Sequence, residues 1–246
     1  MKLLLLSNST NAGESYLGWP RPHISTFLKG TGVRKLLFVP YAGVGLTDQG
    51  LDASFDLYEK RVAAVFEELG YGIYSIHREE DPVRAVEEAE AIAVGGGNTF
   101  HLVYMMHKTG TMQAIRCRAI AGVPFIGWSA GSNVACPSLR TTNDMPIIEP
   151  ESFQCMNLIP FQINPHYLDA NPEGHGGETR EQRIDEFCKV NRSIYVAGLR
   201  EGCYFRMDNG KLELGGKRPL RIFRFGEAAY ELEQGSDVNF LMQPLP

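Results

Sequence analysis

Short apolar runs alternate with longer segments of helical spacing through the first half of the chain. Leu3–Leu6 and residues 36–39 are uninterrupted apolar runs that end in turn residues, which is typical of strands buried on both faces of a parallel sheet. Between residues 52 and 69 the apolar positions recur largely at helical spacing, and Gly70 gives this helix a stop. These segments predict two strands and a helix of a layered α/β protein.

The same alternation continues up to residue 127. Further strands are predicted at residues 72–76, 91–94 and 124–127. The predicted helices that separate them are residues 81–89, 99–107 and 112–121. This order predicts an α/β fold whose mostly parallel sheet carries helices on both faces. Functional loops are then expected at the carboxyl ends of the strands.

The last third of the chain has a different pattern. A helix is predicted at residues 178–190. It is followed by short strands at residues 194–197, 203–207, 211–214 and 220–225. Asp208-Asn209-Gly210 is typical of a β-hairpin turn, so antiparallel strands are expected at the edge of the sheet. Since no repeat or linker interrupts the pattern, residues 1–246 are predicted to form a single domain.

Composition and charge restrict the classes of partner. The chain is 43% hydrophobic and 22% charged, which is typical of a globular protein with a sizeable core. Its net charge of −5, without clustered Lys and Arg, argues against nucleic acid as a partner. No window approaches the ~18 apolar residues of a membrane span, so no membrane partner is expected. A small substrate is the expected partner.

The amino terminus and the cysteines both indicate a cytoplasmic protein. Leu3–Leu6 is shorter than the ~7–15 apolar residues of a signal peptide core, and a buried strand explains it better. The five cysteines form an odd set without a C-x-x-C pair. This pattern fits reduced thiols rather than a disulfide framework or a zinc cluster, and neither a metal nor another cofactor is predicted. The oligomeric state stays open, and a homodimer is compatible with the sequence.

The segment Gly127-Trp128-Ser129-Ala130-Gly131 predicts a nucleophilic serine. It follows an apolar run at residues 123–126 and precedes a predicted helix, which is the strand–turn–helix context of a nucleophile elbow. The strained backbone conformation of the serine costs ~1–3 kcal/mol, and small neighbouring residues avoid steric clashes in such a turn. The hydroxyl of Ser129 would then project above a helix amino terminus, whose amides and dipole favour negative charge.

A nucleophilic serine needs a base, and His166 is the preferred histidine. It follows the apolar segment 161–163 and the dipeptide Asn164-Pro165, which places it in a turn at a strand end. The other histidines lie in predicted helices, in a Pro-rich loop, beside Arg78 or among glycines: His101, His107, His23, His77 and His175. The base in turn needs an orienting carboxylate. Asp144 and Glu201 both lie in loops, and spacing alone does not choose between them.

A second glycine cluster, Gly95-Gly96-Gly97-Asn98, follows a predicted strand. A phosphate loop is the weaker interpretation, because no Lys-Ser/Thr follows and Phe100 replaces the third glycine of G-x-G-x-x-G. Beside a nucleophile elbow, bare backbone N–H groups can approach a carbonyl oxygen. Gly97 and Asn98 are therefore expected to form an oxyanion hole with the N–H of Ala130. A glycine turn with only a packing role is the alternative.

At these residues the chain resembles peptidase E, the α-aspartyl dipeptidase family of serine peptidases. The stretches that carry the resemblance follow one another over nearly the whole chain: residues 3–10, 94–100, 127–131, 140–147, 162–166 and 177–184. The resemblance implies a class I amidotransferase-like, three-layer flavodoxin-like fold and metal-free hydrolysis of Asp-X dipeptides. It also implies Ser129 as nucleophile, His166 as base and Asp144 or Glu201 as third member. The match is poorest at residues 11–23.

Selectivity for aspartate needs a cation for the β-carboxylate, best an arginine that forms two hydrogen bonds. Arg180 is the first candidate and Arg140 the second, with His77 and Arg78 less favoured. Whichever of the two acids does not orient the base could bind the substrate ammonium. Three other functions stay open: an esterase of the α/β-hydrolase type, a hydrolase of this fold that cleaves aspartyl-rich polymers, and a binding or redox-sensing protein without activity.

Overall fold

The computed structural model describes residues 1–171, 174 and 176–243. Its strands are β1 (Leu3–Leu6), β2 (Lys35–Val39), β3 (Gly72–Ser75), β4 (Ile92–Val94), β5 (Phe125–Trp128), β6 (Gln162–Pro165), β7 (Val196–Leu199), β8 (Tyr204–Asp208), β9 (Lys211–Gly215), β10 (Leu220–Phe223) and β11 (Tyr230–Leu232). Its α-helices are α1 (Arg21–Leu28), α2 (Leu51–Glu68), α3 (Pro82–Glu88), α4 (Thr99–Lys108), α5 (Thr111–Ile120), α6 (Ala130–Asn133) and α7 (Arg180–Val190). Every element predicted up to residue 127 is present, with ends that differ by no more than one residue.

The main sheet has the order β3-β2-β4-β5-β1-β8-β9. Its first five strands run parallel, β8 pairs antiparallel with β1, and β9 pairs antiparallel with β8. Asn209 and Gly210 between β8 and β9 have φ values of 51° and 79°. A tight hairpin turn requires positive φ at both central residues, which confirms the predicted turn.

Two apolar cores lie on opposite faces of this sheet, because successive side chains of a strand point to opposite sides. Leu4 and Leu6 of β1 pack in the core formed with α1 and α2. Leu3 and Leu5 pack in the core formed with α3, α4 and α5. The predicted α/β fold, with a mostly parallel sheet covered by helices on both faces, is confirmed.

Four strands of the second half form a separate sheet, in the order β11-β10-β7-β6. β6 and β7 are parallel, and the other two pairs are antiparallel. Ile163, Ala197 and Ile222 of this sheet pack into the core on the α3, α4 and α5 side. This second sheet was not predicted. It matters for the site because β6 and β7 end next to the end of β1.

Helix α1 was also not predicted, since residues around His23 were interpreted as a Pro-rich loop. Pro22 stands in its first turn, where proline is well tolerated because its missing N–H has no helical partner there. Ile24, Phe27 and Leu28 bury the other face of α1. None of the described helices combines the length and the apolar character that crossing a membrane requires.

Candidate active site

Ser129 occupies a strained turn between β5 and α6. Its φ is 53°, in the left-handed region that non-glycine residues rarely adopt. The glycines on either side are required sterically: a Cβ on Gly127 would lie 2.3 Å from the carbonyl oxygen of Gly131, and one on Gly131 would lie 2.1 Å from that of Val94. The N–H of Ser129 donates to the carbonyl of Leu6 in β1. The strand–turn–helix geometry predicted for this segment is therefore present.

His166 lies between the hydroxyl of Ser129 and the carboxylate of Glu201. Its Nε2 is 3.0 Å from Oγ of Ser129, and its Nδ1 is 2.7 Å from Oε1 of Glu201. His166 follows β6 and Glu201 follows β7, which is the parallel neighbour of β6. With Nδ1 protonated, the ring donates to Glu201 and accepts from Ser129, as a general base requires. The structure thus brings together three of the predicted catalytic residues.

Two polar residues at the end of β1 connect the loops that carry His166 and Glu201. Oγ of Ser7 accepts from the N–H of His166 at 2.9 Å and donates to the carbonyl of Leu199 at 2.7 Å. Oδ1 of Asn8 accepts from the N–H of Gly202 at 2.9 Å. Ser7 and Asn8 are fully buried. In the sequence they stand out only as turn residues that end the predicted strand, because their partners lie more than 150 residues away.

Asp144 does not contact His166, so the choice that the sequence left open falls on Glu201. Oδ2 of Asp144 accepts from the N–H of Thr99 at 2.8 Å, from the hydroxyl of Thr99 at 2.6 Å and from that of Thr142 at 3.0 Å. Thr99 is the first residue of α4, where a carboxylate is favoured by the helix dipole. Oδ1 accepts no hydrogen bond from a described residue, and Asp144 lines the same cavity as Ser129.

Gly97 has the geometry of a bare backbone donor beside the nucleophile. Its φ is 133°, and a Cβ there would lie 2.1 Å from the carbonyl oxygen of Ala42. A Cβ on Gly96 would lie 2.9 Å from Cβ of Ser129. Within the described chain, the N–H groups of Gly97 and Ala130 donate to no other residue. Both are thus free to bind an oxygen that develops negative charge.

The prediction that Asn98 supplies an oxyanion donor is wrong. Its N–H donates to the carbonyl of Ala42 at 2.8 Å. Its side chain caps α4, with Oδ1 accepting from the N–H of His101 at 3.0 Å and Nδ2 donating to the carbonyl of Met145 at 2.9 Å. An asparagine directly before a helix is a preferred N-cap, and that pattern at Asn98-Thr99 could have revealed its role.

Ser129 and His166 line a cavity of about 460 Å³. Its walls come from the loop after β1, helix α2, the glycine loop, the elbow with α6, residues 142–144, the end of β6 and the start of α7. The lining residues are Ser9, Tyr58, Gly96, Gly97, Trp128, Ser129, Asn133, Thr142, Asn143, Asp144, Pro165, His166 and Arg180. A concave site with a few convergent polar groups is typical of a small-molecule binding site.

Arg180 is the cation that the structure places in this cavity. It is the first residue of α7 and is half-buried. Burial, followed by the nearby charge of Arg183, lowers its pKa, and no described carboxylate offsets this effect. Arg140 is exposed and does not line the cavity, so the second candidate for the β-carboxylate is not supported by its position.

The other histidines that the structure describes do not contact Ser129. His77 binds Ser75 and Asp56, and its neighbour Arg78 pairs with Asp56 and Glu59 away from the cavity. His101 and His107 bind backbone carbonyls, and the ring of His23 packs at a tilt against that of Tyr204. His175 lies outside the described residues.

Comparisons with known proteins show what this chain is similar to. A family model described as peptidase family S51 matches residues 3–215. A protein named peptidase E from Nostoc sp. is 47% identical over 242 residues, which cover 98% of this chain and 97% of the relative. Another protein of that name from Salmonella newport is 46% identical over 235 residues, covering 96% and 99%. A crystal structure of a peptidase from an acI-B1 Actinobacterium shares the fold, with a TM-score of 0.66, 16% identity and coverage of 96% and 95%.

Proposed function

This chain belongs to peptidase family S51, and from this premise we propose that it is a serine dipeptidase that hydrolyses dipeptides with an N-terminal aspartate. The observation that carries the proposal is the contact of Ser129 Oγ with His166 Nε2 at 3.0 Å, together with that of His166 Nδ1 with Glu201 at 2.7 Å. The relatives named peptidase E support the same activity.

The reaction proceeds through an ester on Ser129. Oγ of Ser129 bonds to the carbonyl carbon of the peptide while its proton moves to Nε2 of His166. The carbonyl oxygen becomes an oxyanion that the N–H groups of Gly97 and Ala130 bind. The C–N bond then breaks as His166 gives the proton to the leaving nitrogen. Water next adds to the aspartyl ester, loses a proton to His166, and releases aspartate as Ser129 recovers its hydroxyl hydrogen.

Arg180 is proposed to bind the β-carboxylate of the substrate. It lines the cavity that contains Ser129 and has no described acidic partner. A guanidinium can bind a carboxylate through two parallel hydrogen bonds. Leaving a buried charge unpaired costs ~3–5 kcal/mol. Because Arg180 is only half-buried, we expect the lower part of that range, or roughly 10²-fold discrimination against a neutral side chain.

Asp144 is proposed to bind the free ammonium of the substrate. Three hydrogen bonds hold its Oδ2 on the start of α4, so the carboxylate has a fixed orientation. Its Oδ1 accepts from no described residue and can accept from an ammonium group. An acid fixed at this place would select substrates in which the aspartate is the N-terminal residue and carries a free ammonium group.

The experiment compares hydrolysis of Asp-Leu, Asn-Leu, Glu-Leu and Asp-Leu-Leu by the wild type and by Ser129→Ala. We expect cleavage of Asp-Leu, roughly 10²-fold slower cleavage of Asn-Leu, and no detectable turnover by Ser129→Ala. A second pair of variants is His166→Gln and its matched control His107→Gln, which removes a ring whose Nε2 binds the carbonyl of Gln154. Equal cleavage of Asp-Leu-Leu or aspartyl polymers, or esterase activity without Asp-Leu cleavage, would contradict the proposal.

A cytoplasmic location and a small peptide as the only required partner belong to the same proposal. The described cysteines are all free thiols, which supports a reducing compartment. Fractionation of the cells that contain the protein, with Asp-Leu hydrolysis as the readout, tests the location. Recovery of the activity outside the cytoplasmic fraction would contradict it.

A further inference from the structure

The hydroxyl of Tyr58 is the middle of a buried hydrogen-bond chain behind the nucleophile. Tyr58 lies on α2 and is almost fully buried. Its hydroxyl donates to the carbonyl oxygen of Gly96 at 2.9 Å and accepts from Nε1 of Trp128 at 3.0 Å. Trp128 directly precedes Ser129. The chain of bonds therefore runs from the elbow, through α2, to the glycine loop.

The carbonyl of Gly96 and the N–H of Gly97 belong to one peptide unit. A trans peptide is planar, so its C=O and N–H point in opposite directions, and no cis bond occurs in the described chain. A bond that fixes the oxygen of Gly96 therefore also fixes the direction of the Gly97 N–H. A hydrogen bond accepted by the carbonyl further polarises the N–H of the same unit and strengthens it as a donor.

We propose that Tyr58 is a positioning residue of the oxyanion hole, which orients and polarises the Gly97 N–H through the Gly96 carbonyl. The proposal rests on the proposed function, because it assigns the Gly97 N–H to the oxyanion of the Ser129 reaction. Tyr58 does not touch the reacting atoms in this account. It acts only through the Gly96–Gly97 peptide.

The packing around Tyr58 shows why its hydroxyl holds this peptide in one orientation. A Cβ on Gly95 would lie 2.6 Å from the hydroxyl of Tyr58, and one on Gly43 would lie 2.4 Å from its ring. Phe38 packs edge-on against the same ring, with centroids 5.0 Å apart. Burial raises the pKa of Tyr58, so the hydroxyl stays protonated. Because Trp128 donates to its oxygen, the proton of Tyr58 is directed to Gly96.

The test compares Tyr58→Phe with the matched control Tyr195→Phe. Tyr195→Phe also removes one hydroxyl, which accepts from Arg224 at 3.3 Å outside the cavity. Loss of a whole oxyanion donor costs ~10²–10³ in rate. Because Tyr58→Phe weakens and misdirects the donor without removing it, we expect kcat for Asp-Leu to fall by roughly tenfold, with KM changed less than about twofold. Tyr195→Phe should keep the wild-type kcat.

A second readout separates this proposal from the proposed function. A fluorophosphonate forms a bond between Ser129 Oγ and phosphorus, releases fluoride, and gives the serine proton to His166 and then to solvent. Its phosphoryl oxygen needs the oxyanion hole but no aspartate subsite. Tyr58→Phe should lower the labelling rate by about the same factor as kcat. If the wild type fails to cleave Asp-Leu, the proposed function is wrong, and the labelling rates still test Tyr58.

The proposal is overturned if kcat and the labelling rate of Tyr58→Phe equal those of Tyr195→Phe. It is also overturned if Tyr58→Phe changes only KM. Thermal unfolding of both variants controls for a loss of folded protein. If Tyr58→Phe does not fold, Trp128→Phe provides the second variant, since it leaves Tyr58 in place but removes the N–H that directs its hydroxyl. It should lower both rates, and unchanged rates would equally contradict the proposal.

Discussion

Replacement of Glu201 by glutamine tests which acid supports His166. Oε1 of Glu201 lies 2.7 Å from Nδ1 of His166, and the Glu201→Gln change would keep the size of the side chain while removing its charge. The imidazolium that forms as Ser129 attacks would then lose a charge-assisted hydrogen bond, which contributes ~1.5–3 kcal/mol. Asp144→Asn makes the equivalent change at an acid that does not contact the ring.

The side chain of Glu201 is 39% exposed, so water partly screens its interaction with the ring. We therefore expect the lower half of that energy range, which corresponds to a fall in kcat of roughly 10- to 50-fold for Asp-Leu. The KM of Asp-Leu should change little, because Glu201 does not line the cavity that holds the substrate.

Steady-state kinetics of both variants, with Asp-Leu as the substrate, provide the assay. For Asp144→Asn we expect mainly a higher KM, because its proposed role is to bind the ammonium of the ground state and the transition state alike. The opposite result, a large loss of kcat in Asp144→Asn with nearly unchanged kcat in Glu201→Gln, would refute the assignment of the triad.

Substrate preference, stability and thiol reactivity can each be predicted from the same structure. Arg180→Ala should abolish most of the preference for Asp-Leu over Asn-Leu, a loss of roughly 10²-fold in the ratio of the two kcat/KM values. Replacement of the exposed Arg140 by alanine should keep that preference. An intact preference in Arg180→Ala would show that Arg180 does not bind the β-carboxylate. Ser7→Ala removes the hydroxyl that bonds to the N–H of His166 and to the buried carbonyl of Leu199. The free energy of unfolding should therefore fall by ~1–3 kcal/mol in a denaturant titration, and an unchanged value would contradict the role of Ser7. Among the described cysteines Cys117 is exposed, whereas burial raises the pKa of the Cys136 thiol to about 12. A thiol reagent at about pH 8, near the usual thiol pKa, should therefore react rapidly with one cysteine per native chain. Rapid reaction of two or more would contradict the buried placement of the others.

Local patterns were sufficient for the first half of the fold, except for helix α1, whose Pro-rich start was interpreted as a loop. The apolar run of Leu3–Leu6 and the helical spacing of the apolar residues in α2 can each be recognised within the segment itself. In the second half, the hairpin turn at Asn209-Gly210 could be predicted because both residues tolerate positive φ values. The elbow was predictable for the same reason, because the small residues at Gly127 and Gly131 reflect contacts within one strand–turn–helix unit and its neighbouring strand.

Most of the other features that the sequence did not reveal depend on contacts between distant segments. The second sheet requires β6 to pair with β7 and not with the main sheet, and the short strands do not encode that choice. The choice of Glu201 over Asp144 depends on the same pairing, since it brings the ends of β6 and β7 together. Tyr58 and Gly96 are 38 residues apart, and nothing in the helical spacing of α2 distinguishes Tyr58 from its other buried residues.

The central claim is that His166 activates the hydroxyl of Ser129. Its most direct test is the intact mass and peptide map of the protein after a brief reaction with a fluorophosphonate, in the wild type, His166→Gln and the control His107→Gln. We predict one adduct per chain, on Ser129, in the wild type and in His107→Gln, and almost none in His166→Gln over the same time. Labelling at another residue, or equal labelling of Ser129 without His166, would contradict the claim.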